Sequence, residues 1–413
     1  ILQLFSFITR SNRNAILFFV IISSFFFVGN NHLHLFDWDE INFAESSREM
    51  IASSNYLKVQ INFTSFWEKP PLFFWMQVLS MKVFGINEFA ARFPNALFGF
   101  FYLITFYFIG KSHFNAKFGI IWALLFFGSL LPHLYFKSGI IDPVFNFFIF
   151  LSIYFMIISF KGEYKQFALF AFLSGIFSGL SVLTKGPVGF LILALTFMAY
   201  IVRKRFKVLP NYKSILLFSL GLIATLSVWI GIEYYSNGWE ILIQFIEYQL
   251  DLFNSGVAGH EQPFYYHFVV VFFGCFPISI FALPLFFKKS NAISYDLKAW
   301  MLCLFWVVMI LFSITTTKII HYSSLTYIPL SFVAALFFHR AEMKELKFSK
   351  IILRLYLIVG LIVGIIITVL PVILINKEFI IPYIKDPFAV DSLQTTLDWS
   401  GYEFIIGLFF IIC

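Results

Sequence analysis

Residues 15–29 read AILFFVIISSFFFVG, a run with no charge in it. Residues 36–50, a few positions on, read FDWDEINFAESSREM and gather Asp37, Asp39, Glu40, Glu45 and Glu49. The first stretch belongs in lipid, and no small-residue cleavage site follows it, so it reads as a retained span rather than a removable leader. The second is a concentration of carboxylates at the mouth of that span. It is either a solvated loop with a helix cap or the reactive end of a site. The rest of the chain repeats the first pattern: 60% of its 413 residues are hydrophobic, 61 are Phe, and only 12% are charged. With a mean hydropathy of +0.86, the bilayer must solvate much of this surface, because no water-soluble fold hides it. Barrel strands would alternate apolar and polar residues, and these runs do not. The fold class is therefore an all-α polytopic membrane protein.

Further apolar runs fall near 71–85, 92–109, 118–136, 143–160, 166–183, 187–202, 214–235, 264–287, 298–316, 319–338, 350–376 and from 403 onward. If all crossed the membrane, the basic loops at Lys111–Lys117 and Lys161–Lys165 would face outward, against the positive-inside rule. Residues 71–85, which follow Pro70–Pro71, are instead expected to form a short interfacial helix. About twelve spans remain, and 19 of the 29 Lys and Arg residues then face the cytoplasm. That asymmetry accounts for the net charge of +7 without nucleic acid. Three cysteines, two of them (Cys275 and Cys303) inside apolar runs, offer neither a disulfide framework nor a metal motif. With no repeat or flexible linker, residues 1–413 read as one membrane domain with a long first outer loop at 31–91. The chain ends about ten residues into an apolar run, short of the roughly 20 a span needs, so it is expected to be a fragment of a longer protein.

Under this topology the unusual polar residues share the outer face. Asp37 followed by Glu40 fits a capping box, and Glu45 with Arg48 fits a helix-surface pair. Asp39 has no such local explanation. The prolines after Glu68 and Lys69 suit the first turn of a helix whose free amides point back at Lys69, a phosphate-binding arrangement; a snorkelling lysine is the plain alternative. Asp142 before Pro143 is either a helix N-cap or a second functional acid. Lys185 in LTKGP, and Lys318, His321 and Tyr322 in TTTKIIHYSS, stand at other outer helix ends, where snorkelling is again the alternative. His260 and His267 alone do not make a metal site. Together these residues suit a ligand with a phosphate head and a long apolar tail. A transporter or lipid flippase is the distant alternative; internal repeats and mid-membrane charges, which such proteins show, are missing here.

The motifs DEINFAESSREM from Asp39, EKPP from Glu68, FG-x-x-E-F-x-A-R-x-P from Phe84, Asp142–Pro143, LTKGP from Leu183, His260-x-x-Pro-Phe and Lys318-x-x-x-Tyr322 occur in an order that resembles the bacterial lipid A aminoarabinose transferases and their relatives, the protein O-mannosyltransferases. The resemblance spans residue 39 to about 330. It implies a GT-C-type helical bundle in the bacterial inner membrane, with its active site facing the periplasm. The activity implied is transfer of a sugar from a polyprenyl-phosphate carrier to a lipid A-like glycolipid or, alternatively, to Ser/Thr of exported proteins. Asp39, Asp142 and Glu40 are then expected to be catalytic, and Lys69, Lys185, Lys318 and Tyr322 to hold the carrier phosphate. Glu68 with His260 is expected to bind a divalent metal (Zn, Mg or Mn). Phe66 and Trp67 depart from the pattern, since relatives often carry a tyrosine there.

Overall fold

The computed structural model describes residues 8–66, 68–160, 164–240, 243–248, 262–286, 295–315, 317–384, 387–394 and 399–412. Helix α1 (Asn12–Ser23) is followed by the first outer loop, which holds α2 (Trp38–Ser53), a two-residue hairpin (Gln60–Ile61 with Thr64–Ser65) and α3 (Leu72–Phe84). Then come α4 (Glu88–His113), α5 (Ala116–Phe127), the short α6 (Leu130–Tyr135), α7 (Asp142–Ser159), α8 (Tyr164–Lys185), α9 (Val188–Arg203) and α10 (Tyr212–Asn237). The chain continues as α11 (Tyr266–Gly274), α12 (Ile278–Phe286), α13 (Tyr295–Ile314), a 3-10 segment Ile320–Thr326 leading into α14 (Tyr327–Glu342), α15 (Lys350–Ile375), α16 (Pro387–Gln394) and α17 (Phe404–Ile412).

The helices start where the sequence supplies a capping side chain. Asn87, Asn115 and Ser349 each accept a hydrogen bond from the backbone N–H three residues on, satisfying an amide that the first turn would otherwise leave bare. Every apolar run read from the sequence carries a helix. Among the described residues, seven are long and apolar enough to cross a membrane, or eight if α11 and α12, bent by 116° at their junction, form one span. The twelve spans read from the sequence are reached only by including shorter helices. Helix α3, at 13 residues, is too short to cross alone.

The helices pack by two devices. Small residues let backbones touch: a Cβ on Gly175 of α8 would collide with the Phe218 carbonyl of α10, and one on Gly221 of α10 with the Phe172 carbonyl of α8. With no hydrophobic drive between helices in lipid, such close approach is a main source of helix association. Elsewhere the abundant Phe fills the interior. Phe106 stacks on Trp122 at 4.4 Å, and the Trp122 indole N–H donates to Ser331 Oγ at 3.0 Å, tying α4, α5 and α14 together. By contrast α10 and α15 leave rows of Leu, Ile and Val exposed, the faces that lipid covers.

The ends of the helices sort by charge. α1 runs antiparallel to α4, because Lys111 Nζ donates to Asn12 Oδ1 at one end and Arg92 Nη1 to the Asn30 carbonyl at the other. Lys117 pairs with Glu342, and Lys204 with Asp296, at the Lys111 end. The first outer loop lies at the opposite end, packed on the start of α4.

Candidate active site

Asp37 caps α2, its carboxylate accepting from the Asp39 N–H at 3.0 Å, as the sequence implies. Glu40 does not close the expected capping box, and its expected catalytic role is corrected. Its carboxylate is fully buried and accepts from Arg92 Nε at 2.7 Å, Arg92 Nη2 at 3.1 Å, the Gly139 N–H at 2.7 Å and the Phe36 N–H at 3.2 Å. Arg92 also donates to the carbonyls of Leu33 and His34. Glu40 is thus a buried anchor joining α2, α4 and the turn before Asp142. Glu45 pairs with Arg48 at 2.6 Å on the surface as expected. Glu49 is no part of a solvated loop: it is buried and accepts from the Phe63 N–H at 2.8 Å. Asn62 and Phe63 form the hairpin turn with φ of 52° and 57°, a left-handed geometry costly for Phe, and the Glu49 bond helps hold it.

With α2 fixed by Glu40 and by the buried bond from Ser47 Oγ to Gln77 Oε1 of α3, its first turn presents Asp39 toward the start of α7 and the 3-10 segment before α14. Asn95 Nδ2 donates to the Ser138 and Ile140 carbonyls, 2.5 and 2.6 Å away, and so shapes the turn that delivers Asp142. Asp142 is buried, and the N-cap reading for it is overturned: α7 begins at Asp142 itself with no side-chain cap. Its Oδ1 instead accepts from Lys185 Nζ at 2.5 Å. Between the two acids stands His321, whose Nε2 is 3.3 Å from Asp39 Oδ2 and 3.8 Å from Asp142 Oδ2. Asn146 Nδ2 donates to Ser324 Oγ at 2.8 Å, and Ser324 Oγ to the His321 carbonyl at 2.5 Å, so the segment bearing His321 is bonded to α7.

Lys185 lies over the Tyr322 ring at 5.1 Å, a favourable cation–π placement. Asp142, Lys185, Tyr322, Glu68 and Lys69 line one cavity of about 190 Å³ whose remaining walls include Phe145, Val188, Ile192 and Phe312. Lys69 Nζ donates to Glu68 Oε1 at 2.7 Å. Lys318 is turned aside and donates to the carbonyls of Gln262 and Thr315, at 2.8 and 2.6 Å; it is not among the lining residues. The expected partner of Glu68, His260, and Trp67 lie outside the described residues. Among the described residues, no three His, Cys, Asp or Glu side chains gather as a metal's ligands.

Asp37 and Asp39, two residues apart, are pushed in opposite directions. Burial raises the Asp37 carboxyl above 3.8, and the Asp39 charge adds to that rise against the pull of His321. For Asp39, burial is again the largest single influence and upward, but His321 at 3.3 Å, with the charges of Lys69 and Lys185 behind, outweighs it and holds the carboxyl at about 2. Asp39 is an anion at any neutral pH.

Residues 68–230 match the dolichyl-phosphate-mannose-protein mannosyltransferase family. An uncharacterised protein of Aquifex aeolicus is 28% identical over 327 residues, 78% of this chain and 72% of its own length. The undecaprenyl phosphate-alpha-4-amino-4-deoxy-L-arabinose arabinosyl transferase of Wigglesworthia glossinidia brevipalpis is 27% identical over 352 residues, 82% of this chain and 62% of its own length. The fold matches the crystal structure of ArnT from Cupriavidus metallidurans bound to undecaprenyl phosphate, with a TM-score of 0.73 at 17% identity over 97% of this chain and 77% of that one. The chain is thus similar in sequence to the aminoarabinose transferases and in fold to ArnT. This chain therefore spans about six-tenths of the length of its named aminoarabinose-transferase relative. Of the motifs that carried the resemblance in the sequence, EKPP, Asp142–Pro143, LTKGP and Lys318-x-x-x-Tyr322 supply Glu68, Lys69, Asp142, Lys185 and Tyr322 to the lining of the cavity. The residues that sequence reasoning left without a role are His321 and Arg92. Both stood inside quoted motifs, but nothing local distinguished the histidine that bridges two acids from a lysine neighbour, or the arginine that buries against Glu40.

Proposed function

We propose that this chain transfers a sugar from a polyprenyl-phosphate carrier to a lipid acceptor, at the outer face of a bacterial inner membrane. The observation that carries this reading is the juxtaposition of Asp39 and Asp142 on either side of His321, beside a cavity holding Lys69 and Lys185 at the end of apolar helices. The carrier's phosphate is the leaving group. Negative charge that grows on it as the sugar–oxygen bond breaks is met by Lys69, Lys185 and the Tyr322 hydroxyl, already placed around the cavity. Asp39, ionised at neutral pH, is too weak a base to drive proton removal; an ionised phosphate acceptor has no proton to lose, and a hydroxyl acceptor passes its proton to the departing carrier phosphate. Its role in this reading is electrostatic: it faces the positive charge that develops on the sugar's anomeric carbon and orients the incoming acceptor. Asp142 holds Lys185 and, through His321, shares in orienting Asp39. Glu68 Oε1 is bonded by Lys69, so a divalent ion there would compete with the ammonium; no step is assigned to a metal.

A second acceptor class, Ser/Thr of exported proteins, is favoured by the mannosyltransferase family match over residues 68–230. Mass spectrometry of glycolipids and exported proteins from a deletion strain separates the two. Loss of one sugar from a glycolipid is the expected result, and loss from proteins alone would move the assignment to the second class. In the purified protein, Lys69→Ala should weaken binding of undecaprenyl phosphate by about tenfold or more, the worth of one charge-assisted contact, and Lys69→Arg should keep part of it. If both variants bind like the parent, the phosphate site is elsewhere.

A further inference from the structure

Lys69 also borders a second, much smaller cavity of about 20 Å³, lined by Lys58, Phe66, Lys69, Trp229, Glu233 and Phe245, among others. Two polar atoms at it have no hydrogen-bond partner among the described residues: the indole Nε1 of Trp229 and Oε2 of Glu233. Trp229 is 8% exposed and Glu233 only 1%. The other carboxylate oxygen of Glu233 is satisfied, accepting from Asn237 Nδ2 at 2.9 Å. A buried polar group without a partner is costly, and two at one cavity point to a ligand that completes them. Trp229 and Glu233 are four residues apart on α10, so they stand one above the other on the same helix face.

The chemistry of the pair restricts what fits. An indole N–H only donates, and an ionised carboxylate only accepts. A single group satisfying both must accept one hydrogen bond and donate another, as a hydroxyl does and an ammonium cannot. The cavity has room for about one water-sized group. The same Lys69 that borders this cavity borders the larger one, where the reading above places the carrier phosphate. A sugar joined to that phosphate is a neighbouring group that carries hydroxyls. We propose that Trp229 and Glu233 form a specificity subsite that receives one hydroxyl of the carrier-linked sugar. The hydroxyl accepts from Trp229 Nε1 and donates to Glu233 Oε2. This inference rests on the glycosyltransferase reading, and its test separates the two.

The test compares binding of two probes to the purified full chain by titration calorimetry: undecaprenyl phosphate, and undecaprenyl phosphate carrying a sugar, with a series of singly deoxygenated analogues. Glu233→Gln and Trp229→Phe should bind the bare carrier within about twofold of the parent. They should lose about tenfold affinity for the glycosylated one, as expected when a buried hydrogen bond to a charged or N–H group is removed. In the parent, one deoxy analogue should lose the same tenfold, and Glu233→Gln should no longer distinguish that analogue from the full sugar. If both variants bind the glycosylated carrier like the parent, or if every deoxy analogue is discriminated equally well by parent and variants, the cavity holds only a water and the subsite is refuted. Equal loss of both probes would assign Glu233 and Trp229 a structural role and likewise refute it. A parent that binds neither probe would overturn the glycosyltransferase reading itself.

Discussion

At the residue scale, five acids in one short stretch have four different fates, and substitution distinguishes them. Asp37 is the cap, and Asn caps nearly as well, so Asp37→Asn should cost under about 1 kcal/mol of stability and leave activity largely intact. Asp39→Asn keeps the shape and removes the charge. Transferase turnover should fall about a hundredfold or more, the scale of one preorganised electrostatic group, with donor binding retained. Because Asp142 caps nothing and holds Lys185, Asp142→Asn should lower turnover as Asp39→Asn does. Undiminished turnover in Asp39→Asn would return this acid to a loop role. The pH dependence has a definite sign. A carboxyl held at about 2 against an ordinary 3.8 stabilises the fold while it is ionised. That contribution, about 2 kcal/mol, is complete above about pH 4 and is lost as pH falls toward 2. The melting-temperature gap between parent and Asp39→Asn should therefore stay constant from neutral pH to about 4.5 and narrow below it. A gap that closes between pH 7 and 5 would place the titration on another group.

At the element scale, the site exists because helices from distant parts of the chain are locked at one end. Glu40 joins α2 to α4 through Arg92 and to the turn before α7 through the Gly139 N–H, so one carboxylate sets the spacing between Asp39 and Asp142. Removing one partner of a buried ion pair leaves the other charge uncompensated. Arg92→Met or Glu40→Gln should thus destabilise the protein by about 3 kcal/mol. Activity should fall in step with the folded fraction when the variants are assayed warm, and return on cooling or on adding carrier lipid. A variant that keeps its melting temperature yet loses turnover would restore a direct catalytic role for Glu40. The segmental pattern was legible beforehand: each apolar run became a helix, and the double proline preceded α3. What could not be read was the fate of Glu49 and Glu40. A carboxylate on a polar helix looks solvated until another element buries it.

At the scale of the whole molecule, the helices that begin near the site end in basic residues at the far side, among them Lys111, Arg203 and Arg340. That asymmetry orients the bundle, and single cysteines test it. Cys275 and Cys303 are buried and should stay silent toward an impermeant reagent. Phe36→Cys should label from outside intact cells, and His113→Cys should label only after permeabilisation. Labelling of His113→Cys from outside would mean that the bundle is inverted and that both acids face the cytoplasm.

Composition and periodicity were sufficient for the membrane class, the helical segments and the end of the molecule where the chemistry lies. Hydrophobic runs and loop charges are local quantities that each stretch carries by itself. The motif order was sufficient for the resemblance that the sequence and fold comparisons also found. Only the tertiary structure decided which charges meet. It put His321 between Asp39 and Asp142, turned Lys318 away to backbone carbonyls, buried Glu40 against Arg92 and left Trp229 and Glu233 unsatisfied beside Lys69. The physical reason is range. Helix formation depends on neighbours a few residues away, whereas an ion pair between residues 43, 52 or nearly 300 positions apart depends on how every intervening helix packs.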